Sequence, residues 1–153
     1  MAHRLLRADD AFWRESNQMR VLNTDLAKQL EAEHLGARFW WLRPGQASTK
    51  HHHPSQEELY VLIRGRGRIR VDEESLELQP LDALLVDPDS VRQVFNDTDE
   101  DALWLVVGAP PEDANTLEMS EARLRELYPE GPRALPPELG GGELRPPPAA
   151  EPG

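Results

Sequence analysis

The stretch GQASTKHHHPSQEELYVLIRG, residues 45–65, decides how this chain is read. Along it, Gly45 is followed by five residues and His51, one and His53, four and Glu58, six and Gly65. Side chains two apart on an extended chain share a face, so His51 and His53 point one way and His52 the other. Pro54-Ser55-Gln56 reads as a turn, and Glu58 opens the next strand with Tyr60 and Leu62 on its own face. Returning antiparallel, that strand brings the Glu58 carboxylate opposite the imidazoles. Glu57 could stand in for it, but only Glu58 keeps the six-residue gap to Gly65. Two imidazoles and a carboxylate suit a divalent transition metal such as Mn, Fe, Ni, Cu or Zn. A histidine-rich turn that is simply solvated fits the same residues, so a site with no metal stays open.

Outward from this stretch, short strands alternate with turn residues. Phe39–Leu42 precedes it, ending at Pro44-Gly45; Glu58–Ile63, Arg68–Val71, Ser75–Leu78, Ala83–Val86, Arg92–Asn96 and Ala102–Val107 follow. Many short strands without intervening helices predict an all-β sandwich or barrel over residues 36–111. Residues 1–35 form a helical or extended segment, with a helix expected after Thr24 through Leu30 and a stop at Gly36. Within 112–128, Ser120 caps a C-terminal helix that ends before Pro129. Of the 25 residues from Pro129 to Gly153, eight are Pro and five Gly, which predicts a mobile tail, or else a strap across a neighbouring subunit.

Residues 45–65 resemble the first signature of the cupin family at every defined position. The resemblance implies a double-stranded β-helix, the cupin jelly-roll barrel, with short flanking N- and C-terminal helices. It also implies that His51, His53 and Glu58 are metal ligands and that the protein is a homodimer, for which the tryptophan-rich strand offers an apolar face. The second cupin signature is Gly, five residues, Pro, one, Gly, two, His, three, Asn. Its register is kept here while its letters change: Leu81, Asp87, Asp89 and Arg92 replace the first four, and only Asn96 survives. The spacer from Gly65 to Leu81 resembles that of small single-domain bacterial and archaeal cupins.

Arg92 stands where the family's fourth ligand, a histidine, would be. A guanidinium has no lone pair to give a metal and repels one. Three readings follow. His51, His53 and Glu58 hold a metal alone while Arg92, tilted outward, anchors a substrate carboxylate. Or Glu58 pairs with Arg92 in a metal-free pocket that binds a small anionic or sugar-like ligand, with Tyr60 and a histidine available for proton transfer. Or the barrel is a structural relic used by its outer surface. The function expected is a cupin-domain protein with a partial metal site, acting on or binding a small anionic or polar molecule in the cavity. The alternative is a metal-free, non-catalytic ligand-binding or structural cupin. Whether it is an enzyme is left open by the residues.

Composition narrows the partners. A formal net charge of −11 disfavours nucleic acid. The alternating Arg64, Arg66, Arg68 and Arg70 are expected on one face of a strand, as a solvated or subunit-contact surface. There is no cysteine, hence no disulfide or thiolate site. No run of apolar residues approaches the ~20 needed to span a bilayer. Asp9 and Asp10 arrive before a signal peptide's apolar core could form, which predicts a cytoplasmic protein.

Overall fold

The computed structural model describes residues 2–113 and 115–145. Among these residues are nine strands: β1 (Arg14–Glu15), β2 (Leu22–Asp25), β3 (Gly36–Leu42), β4 (Glu57–Arg64), β5 (Gly67–Val71), β6 (Glu74–Leu78), β7 (Ala83–Val86), β8 (Arg92–Phe95) and β9 (Ala102–Ala109). They form a six-stranded antiparallel sheet in the order β1-β2-β3-β9-β4-β7 and a three-stranded sheet in the order β6-β5-β8. A loosely paired segment adds to the smaller sheet, because bridges Ala47↔Phe95 and His51↔Arg92 run residues 46–51 beside β8. The two sheets close on a core in which Leu42, Leu62, Ile69 and Trp104 are fully buried. Every strand expected from the sequence is present, and the fold is a double-stranded β-helix. Among the described residues no helix is long and apolar enough to cross a membrane.

Alternation fixes which residues face inward. On β9, Ala102, Trp104, Val106 and Gly108 are buried while the residues between them are half-buried. On β4 the inner set is Glu58, Tyr60 and Leu62. Trp104 reaches across the barrel so far that a Cβ on Gly67 would lie 2.7 Å from its ring, so the opposite wall needs a glycine. Gly65 sits at φ +87°, and a Cβ there would meet the Asp101 carbonyl oxygen.

The turn at Gly65 also corrects the expectation for the four arginines. It separates Arg64 on β4 from Arg68 and Arg70 on β5, so they do not line one strand. Arg66 pairs with Glu77 at 2.7 Å, Arg68 with Asp97 at 3.0 Å and Arg70 with Glu138 at 2.8 Å, while Arg64 lies over the Trp41 ring. This is a surface of local ion pairs and leaves no continuous basic face.

Both flanks differ from the sequence expectation. The N-terminal helix is one turn, α1 (Leu26–Gln29), because pairing of Leu22–Asp25 with β3 claims the residues before it. Its cap is Asp25, whose carboxylate accepts from the Lys28 amide at 2.9 Å. The C-terminal helix α2 (Glu121–Leu127) starts as expected, with Ser120 Oγ accepting from the Arg123 amide.

The larger difference lies beyond it. Residues 129–145 are no mobile tail but a strap on the chain's own barrel. Gln93, on the outer face of β8, is only 1% exposed because its Nε2 donates to the Ala134 carbonyl at 2.8 Å as well as to Ser48. Leu135, Leu139 and Leu144 pack against the core, and Lys50–Glu130 and Arg70–Glu138 pin the strap at its start and its middle. Composition misled here because the prolines shape a folded-back loop closed by the bridge Ala134↔Glu143. The last stretch of the expected tail, 146–153, lies outside the described residues.

Leu81 occupies the left-handed region at φ +75° in the turn before β7. An L side chain there costs about 1–2 kcal/mol. The leucine is 78% exposed, so its packing offsets little. Leu81→Gly is expected to raise stability by about 0.5–1 kcal/mol after the greater freedom of glycine in the unfolded chain is counted. A thermal midpoint that rises by roughly 2–3 °C checks it; a fall would mean that the side chain makes contacts that matter.

Candidate metal centre and cavity

Register places the site residues. His51 and Arg92 are direct antiparallel partners, with His51 N donating to Arg92 O at 3.0 Å and Arg92 N to His51 O at 2.8 Å. Directly opposed residues share a face, so both side chains enter the barrel. Glu58 enters from β4 on the other sheet. Ligand atoms of His51, His53 and Glu58 all lie within 4.8 Å of one another. His53 Nε2 is 3.0 Å and His51 Nε2 3.5 Å from Glu58 Oε1, and the imidazoles are nearly perpendicular. His52 faces away, as the parity requires, and bonds the Glu126 carbonyl at the end of α2.

The far nitrogen of each imidazole is tied down. His51 Nδ1 donates to the Thr49 carbonyl at 2.9 Å. His53 Nδ1 donates to Glu112 Oε2 at 2.7 Å. Glu112 is anchored in turn, since its Oε1 accepts from the Ser55 amide and hydroxyl, both at 3.3 Å. With Nδ1 committed to donation, Nε2 is the nitrogen left to face Glu58, and a proton or a metal ion must sit between the two. Such outer acceptors are what orient histidine ligands in metal sites. The donor set therefore fits a divalent transition metal bound by two Nε2 atoms and one carboxylate.

Tyr60 and Arg92 complete the surroundings of Glu58. Tyr60 OH donates to Glu58 Oε1 at 2.9 Å. Burial above all, and the Glu58 charge next, push the tyrosine well above its ordinary value, so it serves as a neutral donor. Burial pushes the Glu58 carboxyl up as well, but hydrogen bonds and charges from His51 and His53 outweigh it and hold the group well below the usual carboxylate range. Glu58 is an anion in this site.

Arg92 is neither tilted outward nor locked onto Glu58. Its side chain is 0% exposed, and Nε lies 3.8 Å from Glu58 Oε1. The guanidinium head is drawn back by the turn after β7, donating to Asp87 O at 2.7 Å, Val86 O at 3.3 Å and Pro88 O at 3.4 Å. Nε itself is buried with no hydrogen-bond partner among the described residues. Arg92 thus stands behind Glu58 and does not line the cavity.

That cavity encloses about 570 Å³, the size of a small-molecule site. Its inner end is walled by the triad, Tyr60, Trp104 and Val106, and its outer end by Arg14, Asn23, Lys28 and Arg38. Sequence reasoning missed Glu112, Arg38 and the N-terminal contribution. Arg38 had a signal, since it shares strand parity with Trp40. Glu112 had none, because it reaches His53 from a Pro-rich turn whose path no periodicity reveals.

Residues 38–108 match the family model described as the Cupin domain. The barrel is a cupin domain. Solved structures from several bacteria share its fold. A sugar phosphate isomerase of the cupin superfamily from Silicibacter pomeroyi is 22% identical, with a TM-score of 0.63 over 71% of this chain and 76% of that one. A cupin protein from Bacteroides fragilis is 24% identical, with a TM-score of 0.58 over 80% and 93% of the two chains. A predicted oxalate decarboxylase from Thermotoga maritima is 18% identical, with a TM-score of 0.62 over 71% and 100%. A comparison with curated proteins found no match.

Within this cupin, the altered second signature divides by role. Asn96, its surviving letter, is fully buried and structural: Nδ2 donates to Leu42 O and Glu100 O while Oδ1 accepts from the Thr98 amide and hydroxyl. The histidine position has become a buried cation, and the glycine position a leucine that keeps the glycine's conformation.

Proposed function

We propose that this cupin holds a divalent transition metal, one of Fe, Mn, Ni, Cu or Zn, at His51, His53 and Glu58 and binds or acts on a small anionic or polar molecule in its cavity. The observation that carries this reading is the commitment of both Nδ1 atoms to fixed acceptors, which aims both Nε2 atoms at one carboxylate. A bound metal would act as a Lewis acid on an oxygen of the molecule in the cavity. The chain's own groups do the rest. Tyr60 keeps Glu58 oriented, Glu112 keeps His53 oriented, and Trp104 and Val106 keep the inner end apolar. Metal-free binding is the competing reading, and the Arg92 Nε facing Glu58 favours it.

Elemental analysis of untagged protein, purified without nickel resin or chelator, separates the two. Near-stoichiometric transition metal, lost in His51→Ala/His53→Ala, is expected. Traces of metal that the double substitution leaves unchanged would establish the metal-free pocket instead.

The same reading includes a cytoplasmic homodimer. The outer face of the large sheet is apolar across three strands, with Leu59 opposite both Leu85 and Val107, and with Val61 beside Leu105. Leu59 and Leu85 remain 38% and 56% exposed. Light scattering is expected to give twice the chain mass, and Leu85→Glu to give a monomer; a wild-type monomer would remove the dimer.

A further inference from the structure

The outer end of the cavity is made largely by residues that precede the matched barrel, and its chemistry is opposite to that of the inner end. Glu58 and Glu112 lie at the inner end. Arg14, Lys28 and Arg38 line the other. One contact network ties the Arg38 side chain to the backbone that carries the other two cations: Arg38 donates to Asn23 Oδ1 at 2.8 Å and pairs with Asp25 at 2.9 Å, while Asn23 Nδ2 donates to the Arg14 carbonyl at 3.2 Å. Asp25 also caps α1 at Lys28. Asp25 pairs with Arg38, Asp113 also lines the cavity, and among the described residues Arg14 and Lys28 have no carboxylate within ion-pair distance. In a chain of net charge −11, three cations thus share one cavity with the Glu58 and Glu112 carboxylates.

Register gives the distance between the two ends. Arg38 and Tyr60 are both paired with Val106, so they lie in one row across three strands, and Glu58 is one row further along β4 on the same inner face. Strand spacing of about 4.8 Å and a two-residue step of about 6.7 Å put the Arg38 and Glu58 Cα atoms roughly 12 Å apart. Arg38 reaches toward Asn23 and Asp25 on β2, away from Glu58, so the two side chains do not close this distance. Between them, Trp40 lies beneath the Arg38 guanidinium at 5.9 Å, and Trp104 has a buried Nε1 without a hydrogen-bond partner among the described residues.

We infer that the cavity takes a two-ended ligand: a short polyhydroxylated chain whose hydroxyl or carboxylate oxygens meet the triad and whose other end carries a phosphate or carboxylate held by Arg38 with Arg14 and Lys28. The inference rests on the reading of the triad as the inner binding end and names the substrate class of that site. Arg38 is the specificity residue, because it alone of the three cations is half-buried and fixed by two partners.

Trp40 and Trp104 line the cavity, so intrinsic fluorescence reports its filling. The full chain is titrated with gluconate, which has one anionic end, and with 6-phosphogluconate and glucarate, which have two; metal content is measured in the same samples. Either doubly anionic probe is expected to bind about 10- to 100-fold more tightly than gluconate, and which of them does so tells phosphate from carboxylate. Arg38→Met is expected to abolish the preference and Arg38→Lys to keep part of it. If Arg38→Met fails to fold, Lys28→Met should still reduce the preference severalfold. Equal binding of all probes, a preference that survives Arg38→Met, or no binding of any probe overturns the inference. Metal present without a preference sinks this inference alone, whereas a preference in metal-free protein sinks only the metal reading.

Discussion

Replacing Arg92 by histidine is expected to raise the affinity of the cavity for Zn²⁺ or Mn²⁺ about 50-fold or more. The substitution removes a buried cation whose Nε stands 3.8 Å from the Glu58 carboxylate. In its place it offers a third imidazole, the fourth ligand of the set, directly across the strand pair from His51. A +1 and a +2 charge about 5 Å apart repel by roughly 7 kcal/mol at an effective dielectric of 20. Glu58 and the turn carbonyls already screen much of this, and retaining a third of it corresponds to about 50-fold. Calorimetric titration of metal into the apo protein reads the change directly, and a Co²⁺ spectrum reads the added nitrogen ligand. Unchanged affinity would mean that the charge of Arg92 does not reach the ion. Arg92→Ala serves as the contrast: it leaves Glu58 less compensated and a hole behind it, and should cost about 3–5 kcal/mol of stability without creating a ligand.

Ending the chain at Tyr128 is expected to lower the thermal midpoint by roughly 10–20 °C. The strap buries parts of Leu135, Leu139 and Leu144 against the core. At about 1–2 kcal/mol for each partly buried leucine, their loss is about 3–6 kcal/mol. Its removal also uncovers Gln93 and breaks that side chain's bond to the Ala134 carbonyl. Circular dichroism melts of the full and shortened chains check this, with Leu139→Ser as a milder version that keeps the chain length. An unchanged melt would mean that the strap rests on the barrel without holding it.

How much of this was legible in the sequence varied with the kind of signal. Strand positions were readable because alternation and turn residues are local properties. The His51, His53 and Glu58 arrangement was readable because parity fixes the face and one turn fixes the return. Arg92 was placed at the right depth by its register, but the direction of its head is set by three carbonyls of the turn after β7, and backbone acceptors leave no mark in a sequence. Glu112 and the cations at the mouth come from segments that meet the site only through the folded path. The strap was misread for a related reason: proline and glycine mark both unfolded chain and tight loops, and Gln93, a polar residue at an outward strand position, reads as solvated in the sequence although the strap buries it.

The strap has one more consequence. It covers β8 on the outside of the small sheet, while the outer side of the large sheet keeps its leucines open to solvent. A molecule with two bare sheet faces could add copies at both ends and grow into a fibre. One with a single bare face has a valence of one, and pairing through a two-fold axis uses that valence up. On the proposed dimer, seventeen residues that belong to no strand of the barrel would thus set the point at which assembly stops.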